Sequence, residues 1–421
     1  MQRFSVTPTD LLFFRDGRPM ETGEGSGGHG SRWPFPTVLF DAIHAALHRA
    51  FPENSAPQQW DVRHRARGHN GRQGDLRFGG LRTVGPFPQE KSGGWLFPAP
   101  LDARPGADKA AHALRIVRTG GGRSNLPRPL SALAASNQSQ SKEPVPAWWT
   151  KADMEAFLLH GAAQVRELPE PLWSTEWTTG IGIDPLRGTQ DGARIYSASY
   201  LRLHSDVSLG CAGMLPGTGE VADALDVLFP ANARIVCGGQ QRVCNVRRID
   251  MPLAEVLPRS APVPGDKVKW TLLSPAIFPK SSGHPGGWLP SWVDPQTGRV
   301  LLPREKPARQ PGESRHRWRQ RSLQNVTPLD VTLIAACVGK PEVVTGWSDH
   351  LVTADGARGS AKPTRLAVPA GSVYYFEGPD AGLLAKLLSW HGSGDDIPQS
   401  RSGALGEKGL GLGVTAPWTD F

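Results

Sequence analysis

Glycine and proline punctuate this chain from end to end, at 49 and 39 of its 421 residues. Together they make about a fifth of it, against an average near 12%. Glycine weakens helix and strand interiors through backbone entropy, and proline removes a donor and stops helices. Long uninterrupted elements are therefore excluded. The proportion still falls below the roughly 25–30% of low-complexity disordered chains. What remains is a folded core of strands and a few helices joined by turns and long loops, with length enough for two or three domains of roughly 100–200 residues.

Lys plus Arg is 47 and Asp plus Glu is 39, a formal charge of +8 that leans towards a polyanionic partner. Met1-Gln-Arg-Phe-Ser-Val lacks the basic and apolar regions of a secretory leader. The longest clean apolar run near the C-terminus, Val331 to Val338, is far short of a bilayer span. A soluble, cytoplasmic protein that meets no membrane is expected. Cys211, Cys237, Cys244 and Cys337 are too few and too dispersed for a disulfide framework or a zinc knuckle, and are read as small buried hydrophobes.

Phe4 to Phe14 reads as a first strand, followed by the glycine-rich stretch Gly23 to Gly30. Val38, Leu39, Ala42, Ile43, Ala46, Leu47 and Ala50 form the stripe of an amphipathic helix. Ala152–Leu159, Glu220–Phe229 and Ala381–Trp390 predict further helices. Strands are expected at Arg234–Cys237, Val243–Ile249, Lys267–Phe278, Val331–Val338, Gly371–Glu377 and Leu410–Val414. Ala193–Leu203 and Val207–Leu215, around His204-Ser-Asp, read as a hairpin. Two arginine-rich insertions, Trp60 to Arg82 and Arg304 to Arg321, stand out. The second closes Pro279 to Arg321, which reads as a mobile basic loop. Strand–helix units at both ends with hairpins between indicate an α+β fold.

The densest glycine motif is Gly403-Ala-Leu-Gly-Glu-Lys-Gly-Leu-Gly-Leu-Gly413, with Arg401 and Lys408 beside Gly406, Gly409 and Gly411. Backbone amides without Cβ interference suit a phosphate chain, although the order and context match neither a Walker loop nor a dinucleotide fingerprint. Gly180 and Gly182 with Arg187, and Gly238 and Gly239 with Arg242, repeat the pairing of glycine and cation. Trp288, Trp292 and Trp318 are candidates for base stacking. No nucleophile elbow is present. His44 and His48 have helical metal spacing without a zincin glutamate and read as an exposed histidine face, and no metal or cofactor is expected. His29 is the one residue placed to serve as a base in metal-independent RNA cleavage.

Taken in order, these segments resemble the third Cmr subunit family of type III-B CRISPR effector complexes, in the RAMP superfamily. The matching segments are Thr7-Pro-Thr-Asp-Leu-Leu-Phe-Phe-Arg-Asp-Gly-Arg-Pro19, Trp33-Pro-Phe-Pro-Thr37, Phe78-Gly-Gly-Leu and Leu96-Phe-Pro-Ala-Pro-Leu-Asp102. Gly180-Ile-Gly-Ile-Asp184, Val368-Pro-Ala-Gly-Ser-Val-Tyr-Tyr-Phe-Glu377 and the terminal glycine-rich loop complete the set. The resemblance implies two ferredoxin-like (RRM-related) RAMP domains with long loop insertions, taken here as 1–215 and 216–421. It implies a non-catalytic subunit that grips the 5′ handle of the crRNA. Such a subunit docks on the large Palm-domain subunit and the adjacent backbone RAMP subunit, and meets target RNA indirectly. Arg15, Arg18, His29, Arg32, Arg242, Arg401 and Lys408 are then the expected RNA contacts, along with the three glycine clusters. A crRNA-processing endoribonuclease of the same superfamily, with His29 as base, is the alternative.

Overall fold

The computed structural model describes residues 1–15, 27–28, 30–31, 33–51, 78–118, 125–136, 143–168, 171–183, 186–216, 220–304, 310, 312, 317, 327–352, 358–392, 394 and 397–420. It is α+β, with its main sheets antiparallel throughout.

The first sheet takes β1 (Gln2–Pro8), β2 (Arg82–Glu90), β3 (Val207–Met214), β4 (Asn232–Val236) and β5 (Val243–Ile249), in the order β4-β5-β1-β3-β2. Helix α1 (Pro36–Ala50) follows β1, α2 (Lys151–His160) lies in the long segment between β2 and β3, and α3 (Glu220–Leu228) follows β3. α1 begins with proline at its first position, where the missing N–H costs nothing. Its stripe is the expected one: Leu39, Ile43 and Leu47 are essentially unexposed and pack with Leu225 of α3 on Phe4, Val6, Leu209 and Val246 of the sheet. Burying each such side chain contributes about 1.5–3 kcal/mol. The three cysteines Cys211, Cys237 and Cys244 share this core as free thiols.

The second sheet takes β6 (Lys267–Leu272), β7 (Thr332–Cys337), β8 (Val373–Glu377) and β9 (Gly413–Ala416), in the order β7-β8-β6-β9. α4 (Ala381–Leu388) runs between β8 and β9. One core joins the two sheets: Val84, Phe87 and Ala212 from the first pack with Leu273, Trp390, Leu412 and Val414 from the second. β4 and β5, C-terminal to residue 215, pair in the first sheet, and the next strand of a main sheet is β6.

A charged cluster is sealed beside this junction. Lys269 Nζ lies 2.6 Å from Asp102 Oδ2, and the two side chains are 3% and 0% exposed. The Tyr375 hydroxyl donates to the same oxygen at 3.0 Å, and Lys269 sits 4.6 Å from the centre of the Phe157 ring. Burial, with Asp102 beside it, pushes the Tyr375 phenol well up from its ordinary value.

Two expectations are corrected. Gln190–Leu203 and β3 are both strands but do not pair as a hairpin. β3 is buried along nearly its whole length and takes β1 and β2 as neighbours, whereas Gln190–Leu203 folds against Trp173–Ile183 as a separate ribbon. The described start of the supposed mobile loop, 279–304, instead anchors side chains in the core. Leu289, Val293 and Val300 are buried, and Trp292 lies over Phe376 at 5.8 Å. Most of 305–326, with Trp318, and most of the 60–82 insertion lie outside the described residues. No helix among the described residues is long and apolar enough to cross a membrane.

Candidate nucleic-acid interface

A cleft of about 870 Å³ opens where α1, β2 and the second sheet's connections meet. Phe14 and Arg15 enter it from the continuation of β1, and Trp33 to Val38 from the start of α1. Gly85 to Phe87 come from β2, Trp148 and Trp173 from the inserted segment, and Glu342 to Thr345 from the far side. The three indoles form a cluster: Trp33 is 5.0 Å from Trp173 and 6.1 Å from Trp148, which are 5.7 Å from each other. Trp33 Nε1 donates to the Pro86 carbonyl at 2.9 Å, which fixes its plane against β2.

The electrostatics of this wall favour an anion. α1 points its N-terminus into the cleft with no acidic residue in its first turn and no side-chain cap, leaving the positive end of its dipole uncompensated. Exposed Arg15, bridged through its backbone to Gly30, stands on the same side. Glu342 is the acid opposite. The residue is exposed, yet protein packed around its carboxyl strips enough water to raise it above the ordinary range.

Of the expected contacts, Arg15 alone is placed in this cleft. Arg18, His29 and Arg32 lie outside the described residues. Gly180 and Gly182 sit in the Trp173–Ile183 arm of the ribbon, Gly180 opposite Tyr196, rather than in a turn. Arg187 is exposed beyond the end of that arm. Gly238 and Gly239 press on the segment that leads from β1 to the cleft. Gly239 N–H donates to the Phe13 carbonyl at 2.8 Å, and a Cβ on Gly238, at φ +80°, would lie 2.6 Å from that oxygen. Close backbone approach selects glycine here. Arg242 is engaged nearby, 5.0 Å over the Tyr200 ring, 3.1 Å from Gln240 Oε1 and 3.7 Å from Asp10.

Several amides of the glycine-rich loop are engaged within the fold. Lys408, Gly409 and Gly411 N–H groups donate to Leu405, Gly406 and Pro275 carbonyls, and Leu412 N–H to Ser274 Oγ. Gly409 abuts Thr83 and Gly85 of β2. Lys408 Nζ reaches Asp41 of α1 at 2.6 Å and lies 4.3 Å from the centre of the Phe40 ring. Arg401 donates through Nε to the Leu387 carbonyl at the end of α4, and burial lowers its guanidinium to about 10. The loop thus closes from behind against the walls that form the cleft. Trp288 and Trp292 also pack inward against the second core. His44 and His48 are half-buried, each at the edge of Phe78, with ring centres 4.6 Å apart. Among the described residues no group of three His, Cys, Asp or Glu could hold a metal. The indole cluster escaped the sequence reading because Trp33, Trp148 and Trp173 are scattered over 140 residues. Only Trp33-Pro-Phe-Pro stood in a recognised segment.

The family model for "CRISPR-associated protein (Cas_Cmr3)" matches residues 4–418. The chain belongs to that family. The kinship read from Thr7 to Pro19 through the terminal glycine-rich loop is borne out, and this Cas_Cmr3 family member is a Cmr subunit of type III-B. Among solved structures it is similar to a chain of the type III-B Cmr-beta complex bound to cognate target RNA and AMPPnP, at 14% identity and a TM-score of 0.43, covering 89% of this chain and 86% of that one. A chain of the Csm3–Csm4 subcomplex of a type III-A interference complex is similar at 10% identity and a TM-score of 0.36, over 90% and 94% of the two chains. No curated protein matches.

Proposed function

We propose that this chain is the non-catalytic subunit that holds the 5′ handle of the crRNA in the cleft between its two sheets. It docks through other surfaces on the large Palm-domain subunit and the adjacent backbone RAMP subunit, and so meets target RNA indirectly. The observation that carries this reading is the cleft itself, where indoles, an arginine and an uncapped helix N-terminus share one wall. Splayed bases held against aromatic rings, with a backbone gripped by cations, is how proteins read single-stranded RNA ends.

Two ferredoxin-like units are part of the same proposal, with their division in 250–266. The order β5-β1-β3-β2, with helices after β1 and after β3, is that of a split β-α-β unit, to which β4 adds an edge. The order β9-β6-β8-β7 repeats it, with α4 in the second helix position. Within this reading Arg15 contacts RNA, while Arg401 and Lys408 hold the walls in place.

The test is fluorescence anisotropy of the purified chain with handle-bearing RNA and with a scrambled RNA of equal length, near 0.15 M salt. The native protein favours the handle, and Arg15→Ala reduces that preference about tenfold, the loss of one charge-assisted hydrogen bond. Equal affinity of the native protein for both RNAs overturns the reading. Incubation of handle-containing repeat RNA in EDTA yields no cleavage product if the subunit is non-catalytic.

A further inference from the structure

Several cations with described side chains are matched by carboxylates. Arg118 lies with Glu377 and Asp420, Arg166 with Glu90, Arg202 with Glu176, Arg248 with Asp226 and Asp250, Arg304 with Asp380, and Lys267 with Asp420. Among the cations that are not, two arginines stand together at one edge of the first sheet. Arg234 on β4 and Arg247 on β5 are exposed, and neither makes a hydrogen bond or ion pair among the described residues.

Their placement follows from register. Arg234 is opposite Asn245, and Asn232 is opposite Arg247, so the two arginines sit diagonally on one face. Thr7 of β1 continues the first row beside Asn245. Asn232, Asn245 and Thr7 are exposed as well, while Ile235, Cys244 and Val246 on the opposite face are buried under the helices. Diagonal neighbours of this kind stand roughly 7–8 Å apart, close enough for two guanidiniums to act on one polymer. No acidic residue of the three strands shares this face. The acids that follow them, Asp10 and Asp250, are engaged by Arg202, Arg242 and Arg248.

We propose that this open face of β4 and β5 is a second RNA-binding surface, separate from the cleft, which takes the phosphate backbone of a single strand without reading its bases. Guanidinium and carboxamide donors suit phosphate oxygens, and the rows bear no aromatic ring on which a base could stack. A protein partner is disfavoured by the same composition. The apolar side chains on this face, Val243 with half-buried Val236 and Ile249, lie at the ends of the strands rather than between the two arginines, which leaves no desolvated apolar centre for a protein interface.

The experiment is a salt titration of the full chain against handle RNA and an unrelated RNA, with Arg234→Gln/Arg247→Gln and Arg234→Lys/Arg247→Lys beside the native protein. Each phosphate contact on a single strand contributes about 0.7 to the slope of log affinity against log salt. The Gln pair therefore lowers the slope by about 1.4 and weakens both RNAs alike, about three- to tenfold near 0.15 M, while the Lys pair keeps the slope. A folded Gln pair with unchanged slope and affinity overturns the proposal. So does a Gln pair that binds RNA normally but fails to retain a protein subunit in the assembled complex. Arg15→Ala, by contrast, reduces the handle preference and leaves this slope change intact, so the two surfaces fail or stand separately.

Discussion

Lys269 and Asp102 bring opposite charges into an interior that excludes water, and the Tyr375 hydroxyl completes the arrangement. Each charge is tolerated because the other is there. Asp102→Leu leaves an ammonium buried over Phe157 with no counter-charge, which predicts a loss of about 3–5 kcal/mol, read as a lowered denaturant midpoint. The double change Asp102→Leu/Lys269→Met removes both charges and recovers most of that loss. Glu342 predicts a different signature. Its carboxyl is raised by lost hydration, so the fold prefers the neutral form and loses stability as pH rises from the ordinary carboxylate range, about 4.3, through the raised value. Glu342→Gln therefore melts above the native protein at neutral pH, and the gap closes as pH falls towards 4. A gap that is constant with pH contradicts this account.

Among the elements, the glycine-rich loop shows how far a sequence pattern can be read. Its density of glycine was visible, and so was the need for close backbone approach. What approaches was not. Gly411, at φ +70°, would place a Cβ 2.2 Å from the Ser402 nitrogen, and Lys408 finds its acid 367 positions away on α1. Gly411→Ala is accordingly expected to cost more than the ~1 kcal/mol typical of a glycine in ordinary backbone, with a lower melting temperature as the readout. α1 was legible because 3.6-residue periodicity is local, and Leu39, Ile43 and Leu47 carry it within nine residues. Strand pairing is not local. β1 takes its partners from 207–214 and 243–249, and nothing near residue 5 announces them. The false hairpin across His204 arose from the same limit, since proximity in sequence stood in for burial on both faces. The cleft was the least legible feature, being assembled from walls that are far apart along the chain.

At the scale of the molecule, two sheets share one core. Trp390, Leu412 and Val414 of the second pack with Val84, Phe87 and Ala212 of the first, so neither sheet buries its surface alone. This predicts a single cooperative unfolding transition, seen as coincident loss of near-UV and far-UV signals, whereas two resolved transitions would mean independent units. The sealed Lys269–Asp102 pair ties β6 of the second sheet to the segment inserted into the first, and its chemistry reaches beyond stability. Changing either residue alone passes through a poorly folded protein, while changing both together does not. A lineage altering them one substitution at a time must cross that valley, so the pair is held in place by mutational history even if an apolar pair would serve the fold as well.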